Sequence, residues 1–381
     1  MSLSVAIRFN DLKGGRALSQ SMCAGLLGTF LLAGCAPSVA VATLPEDPTL
    51  LAVASPTAPP PTEAATPTHL PPTPSLEPPG PPPPTFSTKE LRPGVEPVSY
   101  LEDTCQYLRL RWDPEGSSPG TVVLPIMFHS IREPDNMPDD TVTISTDTLA
   151  AIVQEARQLG FETITAAQLE AFLTRNARIP RRSMLFIMDD RYPGPLAQYV
   201  MPVLQANNWT ATLGWIIGDT RPSLWSVMED LAKSGRLDVQ SHGYQHLYIT
   251  DAMSDDELRQ EISGSIPILE EHFGSRPIAF VWPGGNFTPR AVQIARQAGY
   301  ELGFTASSRG PLLFNWIPLT DVERAADDPV MVLPRAWSTA AVVSLAQAAR
   351  VGDAATEQAE QNRQAETEWF ERSCGGPLPG S

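Results

Sequence analysis

The chain has 381 residues, 39 of them proline, and a formal net charge of −16 at neutral pH. That acidity excludes a protein built to grip nucleic acid or an anionic membrane surface through basic patches. Length alone predicts two or three domains, but the proline distribution leaves one stretch, 98–345, able to bury a substantial core.

Arg8, Lys13 and Arg16 precede an apolar run, Ala24 to Gly34, that ends at Cys35. The run falls short of the ~20 residues a membrane span needs and fits a secretory signal. Leu32-Ala33-Gly34-Cys35 resembles the lipobox of bacterial lipoproteins. That resemblance implies removal of 1–34, lipidation of Cys35 and an extracytoplasmic protein anchored to the bacterial membrane. The alternative is an ordinary signal with an incidental cysteine. The mature chain keeps 24 basic and 42 acidic side chains, a balance of −18 that still argues against nucleic acid and favours a neutral polymer as partner. Residues 35–97 read as a Pro/Thr-rich tether, because 36–97 hold 19 of the 39 prolines and runs such as Pro81 to Pro84 favour extended polyproline II. With Cys23 removed and Cys35 acylated, Cys105 and Cys374 remain, and an oxidising compartment predicts that they pair. Two free thiols are the alternative.

From residue 120 strands and helices alternate. Thr121 to Phe128 reads as a buried strand. Leu149, Ile152, Ala156 and Leu159 recur at helical spacing, with Gly160 as the residue that ends the helix. Phe161 to Ile164 is a short strand, and Thr165 with Gln168 forms a capping box for the helix carrying Leu169, Phe172 and Leu173. Ser183 to Met188 is a strand closed by Asp189-Asp190. Thr210 to Ile217 is another, followed by a helix from Trp225 to Lys233. Ser254 starts a helix through Leu258, Ile262, Ile266 and Leu269 that Pro267 should kink. Pro277 to Trp282 is the next strand, and Thr288-Pro289 caps the following helix. Glu301 to Ala306 and Val330 to Leu333 complete the series. Residues 346–381 read as a polar C-terminal helix and tail with no assigned role.

Alternating units of this kind predict an α/β fold, a distorted (β/α) barrel of parallel strands. His129, Asp189-Asp190, His242, Trp282-Pro283-Gly284 and Pro334-Arg335 each follow an apolar strand. In a barrel those positions converge on the C-terminal face. Ser241-His242-Gly243-Tyr244-Gln245-His246 offers two imidazoles at i and i+4, expected on one face of a helical turn. Two histidines and a carboxylate make a three-ligand divalent metal site with room for water, and a second carboxylate beside it can act as base. This is the pattern of a metal-dependent hydrolase.

The segments Leu-Pro-Ile-Met-Phe-His129-Ser, Leu-Gly160-Phe-Glu-Thr-Ile, Phe-Ile-Met-Asp189-Asp190, Ser-His242-x-x-x-His246 and Phe-Val-Trp-Pro283-Gly-Gly285 together resemble the polysaccharide deacetylases, carbohydrate esterase family four, over about Val122 to Ala336. The branch most similar is the extracellular poly-N-acetylglucosamine deacetylases, whose histidine motif lies on the first strand. The resemblance implies a fold of the polysaccharide deacetylase type. It makes Asp190, His242 and His246 the ligands of a divalent metal, zinc by default, and Asp189 the general base. His129 becomes the general acid that protonates the leaving amine. Gly284 in the Pro-Gly-Gly turn would offer backbone N–H to the oxyanion. Arg191, Tyr192, Tyr244 and Trp282 would meet an acetylated polysaccharide, with Trp337 near the same rim.

Three positions depart from the family pattern. Arg191 stands where glycine usually follows the Asp pair and would be strained at positive φ. Gly284 replaces an aromatic residue. Val281 replaces an arginine common two residues before the proline. The activity implied is removal of N-acetyl groups from a GlcNAc-containing surface polymer. Two alternatives remain: an O-acetyl carbohydrate esterase, which depends less on His129, and a non-catalytic carbohydrate-binding lipoprotein whose site has decayed.

Overall fold

The computed structural model describes residues 80–218 and 220–380, with Asp190 described in its backbone alone. The signal segment 1–34, Cys35 and the tether as far as residue 79 lie outside the described residues.

Six parallel strands follow the apolar runs and form one curled sheet: β1 (Val122–Phe128), β2 (Arg182–Asp190), β3 (Ala211–Trp215), β4 (Leu237–Ser241), β5 (Ala279–Val281) and β6 (Leu302–Phe304). They lie in spatial order β6-β5-β4-β3-β2-β1. All seven residues of β1 are buried, as expected of a strand covered on both faces. The gap between β6 and β1 is bridged by a short return of the chain. The Leu333 N–H donates to the Gly303 carbonyl at 2.7 Å, and the Thr305 N–H donates to the Leu333 carbonyl at 2.9 Å. Three residues on, β7 (Ala336–Trp337) pairs in parallel with Ile126 and Met127 of β1. The result is the distorted barrel, closed at its seam by one narrow segment. Leu312–Leu313 pairs antiparallel with Val122 and Val123, so Pro125 falls between the two partners on that edge. A proline, which has no N–H to offer a ladder, is tolerated there.

The helix Thr146–Gln158 starts where the Ser145 hydroxyl accepts the Thr148 N–H at 3.1 Å, and it buries Leu149, Ile152 and Ala156. Ala166–Arg175 starts with the Thr165/Gln168 capping box. The kinked helix expected around Pro267 is two helices, Asp255–Ser263 and Ile266–Phe273. The break falls at Gly264-Ser265, and Pro267 sits in the first turn of the second helix, where a missing N–H is no loss.

Packing continues on both sides of 98–345. Ala341–Phe370 is a 30-residue helix that buries Leu345, Ala348, Val351, Ala355 and Ala359. It packs on β1 and on Thr146–Gln158, a point the sequence left open. The body also begins before residue 98. Glu96–Val98 pairs antiparallel with Ile317–Leu319. The Trp316 and Trp369 indole N–H groups donate to the carbonyls of Phe86 and Gly80 at 3.0 and 2.8 Å, and Glu90 pairs with Arg350 at 2.8 Å. A polyproline segment leaves its carbonyls unpaired, and the two indoles use them. Cys105 and Cys374 form a disulfide, as the oxidising reading predicts.

Candidate active site

Asp189 closes β2 with its carboxylate buried, 2 % exposed. Burial alone pushes its pKa up. Arg335, His242 and His129 together outweigh that and hold it below the usual carboxylate value. Arg335 contributes most directly: its Nη1 donates to Asp189 Oδ2 at 2.6 Å, and its Nε is fixed on the Thr305 carbonyl at 2.8 Å. The same Oδ2 stands 3.8 Å from Nε2 of both His129 and His242. Oδ1 is buried and has no hydrogen-bond partner among the described residues.

Close approach here depends on Gly214, the β3 neighbour of Asp189. A Cβ at that position would lie 3.0 Å from Asp189 Oδ1 and 3.2 Å from Val281 Cγ2. Glycine inside a strand commonly marks a point of such approach, and the glycine in the Thr210 to Ile217 run was the available signal.

His242 follows β4 and is fully enclosed. Its Nδ1 lies 2.8 Å from the Val281 carbonyl, which can only accept, so Nδ1 carries the proton and Nε2 presents a lone pair. Burial drives its pKa down to about 4, so the ring is neutral near pH 7. The His246 ring lies 4.7 Å away at 76°, and burial lowers its pKa also.

The two histidines do not share a helical turn, which corrects the sequence expectation. Gly243 and His246 have φ of 87° and 65°, so the motif is an irregular loop. Glu261 shapes it. Its carboxylate accepts the N–H of Gln245 at 2.9 Å and of Leu247 at 3.0 Å, and a Cβ at Gly243 would strike it at 2.3 Å. A left-handed non-glycine residue costs about 1–3 kcal/mol and persists only where its surroundings fix it. Glu261 supplies that constraint at His246.

A cavity of about 790 Å³ opens at this end of the barrel, bordered by His129, Asp189, Arg191, Tyr192, His242 and His246. Asn136, Met137 and Thr143 form part of one wall, from a loop the sequence reading left unassigned. His129 is part-exposed, its pKa is lowered by burial, and its ring lies nearly parallel to Trp337 at 6.2 Å. Trp337 thus backs the histidine. Tyr192, 59 % exposed, stands at the cavity as predicted.

Arg191 is not among the residues with positive φ, so it replaces glycine without backbone strain. Its Nη1 donates to the Gly218 carbonyl at 2.5 Å. Tyr248, 61 % exposed with its ring 5.9 Å from His246, was not anticipated.

Three expected contacts are not made. Trp282 is fully buried, 0 % exposed, with its indole N–H donating to the Met331 carbonyl at 2.8 Å, so it has no face to offer a sugar. Tyr244 packs against the core and does not line the cavity. Gly284 lies against Tyr248 instead of the cavity, and the neighbouring N–H groups of Gly285 and Asn286 are used by the carbonyls of Trp282 and Pro283. The Gly285 and Asn286 N–H groups of the turn are therefore already paired within it.

Two of the three expected ligands suit a divalent cation: His242 offers Nε2 with its tautomer fixed, and the His246 ring is adjacent. Asp190 closes β2 beside Trp215, and its side chain lies outside the described residues. Among the described residues, from which that carboxylate is left out, no three His, Cys, Asp or Glu side chains are grouped to hold a metal.

Residues 177–303 match the family model described as polysaccharide deacetylase. "Putative polysaccharide deacetylase YxkH" of Bacillus subtilis is 23% identical over 186 residues, 48% of this chain and 64% of that protein. The poly-beta-1,6-N-acetyl-D-glucosamine N-deacetylase of Escherichia coli K12 is 21% identical over 228 residues, 48% of this chain and 34% of that protein. The chain thus spans between a third and just under two thirds of these relatives. The Streptococcus pyogenes deacetylase PplD, solved in complex with acetate, superimposes with a TM-score of 0.51 at 19% identity, covering 61% of this chain and 99% of that one. That likeness shows a shared fold. Residues 177–303 are therefore similar to the polysaccharide deacetylases.

Proposed function

We propose that this chain is a metal-dependent hydrolase that removes N-acetyl groups from a GlcNAc-containing polysaccharide outside the cytoplasm, held to the membrane through lipidated Cys35. One observation supports the chemistry above all: a buried, ionised Asp189 with Oδ2 fixed by Arg335 at 2.6 Å and Oδ1 left without a protein partner among the described residues.

Asp189 accepts the proton of the attacking water at Oδ1. Arg335 keeps the carboxylate charged and stops it from rotating. A cation held by Asp190, His242 and His246, zinc by default, would polarise the acetyl carbonyl and acidify that water. His129, with Nε2 at 3.8 Å from Asp189 Oδ2, passes to the departing nitrogen the proton that Asp189 took from water, so the carboxylate is regenerated as the amine leaves. An amide requires that proton, because an amine anion is a very poor leaving group. Arg335, His242 and His129 hold Asp189 in its charged form, which weighs against a decayed, purely binding site.

The test is acetate release by metal-loaded protein from N-acetylglucosamine oligomers and from acetylated xylan, each with wild type and His129→Ala. The reading expects release from the amide substrate, reduced roughly 10²-fold or more by the variant, and a smaller loss on the ester. Release from the ester alone would favour the esterase. Glycan binding with no release from either would favour the binder.

A further inference from the structure

Arg309 is buried at the barrel seam, its side chain 0 % exposed, and it does not border the cavity. Its fork reaches three segments at once. Nε donates to the Pro318 carbonyl at 2.9 Å, Nη1 to the Thr305 hydroxyl at 3.0 Å, and Nη2 to the Val332 carbonyl. Glu323 balances the charge, its Oε1 accepting from Nη1 at 2.8 Å. The Thr320 N–H holds the other carboxylate oxygen at 3.0 Å, in the capping box of the short helix Asp321–Arg324.

Thr305 and Val332 stand on the two sides of the seam. Thr305 follows β6, and Val332 belongs to the return that leads to Arg335. The Thr305 hydroxyl also donates across to the Leu333 carbonyl at 3.2 Å. The Thr305 carbonyl fixes Arg335 Nε at 2.8 Å, and Arg335 Nη1 then reaches Asp189 Oδ2 at 2.6 Å. Buried contacts thus run from Glu323 through Arg309, Thr305 and Arg335 to Asp189.

Stability alone does not account for this arrangement. Well-packed apolar side chains of similar volume often serve a core as well as a buried ion pair. What a guanidinium adds is geometry, because its planar fork fixes several acceptors relative to one another. A misplacement of about 1 Å near reacting groups can cost on the order of 10²-fold in rate.

We propose that Arg309, charge-balanced by Glu323, is a positioning residue for Asp189, acting through Thr305 and the Arg335 guanidinium. Its effect on rate rests on the deacetylase reading above, which it deepens by naming what holds Arg335 in place. Lysine would keep a charge opposite Glu323 but has no fork to span three segments. Charge and geometry are therefore separable.

Arg309→Lys and Thr305→Val, each in the full metal-loaded chain, test this. Thr305→Val keeps the carbonyl that holds Arg335 and deletes the hydroxyl that meets Arg309. Both are assayed below their melting temperatures on N-acetylglucosamine oligomers, with metal content measured on the same preparations. Solvent exchange of the Arg335 Nε–H is followed by nuclear magnetic resonance. The expected result is a kcat lower by roughly tenfold or more with KM and metal content unchanged. Nε–H exchange should quicken by a similar factor as the local contact opens. Should Arg309→Lys fail to fold, Thr305→Val decides alone. Unchanged kcat in a folded variant, whatever its melting temperature, overturns the positioning role. So does a lower kcat matched by an equal loss of metal, or one without faster exchange. If the wild type releases no acetate, exchange decides. Faster exchange in the variants upholds the link to Asp189 while the deacetylase reading fails, and unchanged exchange sinks the link.

Discussion

The two halves of the site are held in different ways. Asp189 sits on a strand, and its carboxylate is fixed from the seam of the barrel by Arg335, 146 residues along the chain. His242 and His246 sit on a loop with left-handed backbone, fixed by the neighbouring carboxylate Glu261. Asp189 is therefore coupled to closure of the barrel, and the imidazole pair to one local anchor. Damage to the seam should change proton transfer, and damage to the anchor should change metal affinity.

The largest effect should follow from removing an imidazole. His242→Ala or His246→Ala is expected to abolish metal retention and acetate release together, measured by elemental analysis beside turnover. Retained metal in both variants would remove the pair from the ligand set.

Arg335→Met comes next. It leaves the buried Asp189 charge without its guanidinium, a loss of roughly 3–5 kcal/mol. Asp189 would then protonate more easily, so the acid limb of the pH–rate profile should move to higher pH. Arg335→Lys should recover part of both effects. An unmoved acid limb would mean that Arg335 only braces the seam.

Glu261→Gln is smaller. Supporting contacts behind a ligand typically account for 10–100-fold in metal affinity, so metal binding should weaken with little change in the acid limb. Comparable changes in both variants would erase the distinction between the two halves.

The smallest effect is on stability in metal-stripped protein. His242 has a folded pKa of about 4 against an ordinary 6.5, so the unfolded chain binds the proton more readily. Its contribution should be complete above about pH 6.5 and be lost as pH falls toward 4. His242→Gln should flatten the melting temperature over that window.

Much of this was legible in the sequence because it was local. Strands, helix caps and the alternation that predicts a barrel depend on near neighbours. The disulfide followed from the expected compartment and the count of cysteines. Errors arose where one pattern serves two geometries. An i, i+4 pair of histidines suits a helix, yet Gly243 between them allowed the loop that formed. Trp282 ends a strand, a place that serves both rim and core, and a hydrogen bond to Met331 put it in the core.

The Arg335–Asp189 pair was not readable, since nothing near either residue names the other. The position was on the predicted face, but its role depends on how the seam closes. It also restores a guanidinium to a site where Val281 stands in place of the family's usual arginine. The Pro-rich stretch misled for a related reason. Composition showed that it builds no core of its own, but not that Trp316 and Trp369 would take up its carbonyls.

The most direct test of the account is Asp189→Asn, with metal content and acetate release measured on one preparation. Full metal occupancy with turnover reduced by at least about 10²-fold is the predicted result. Near-normal release from the loaded variant would contradict the role given to this carboxylate, and with it the proposed chemistry.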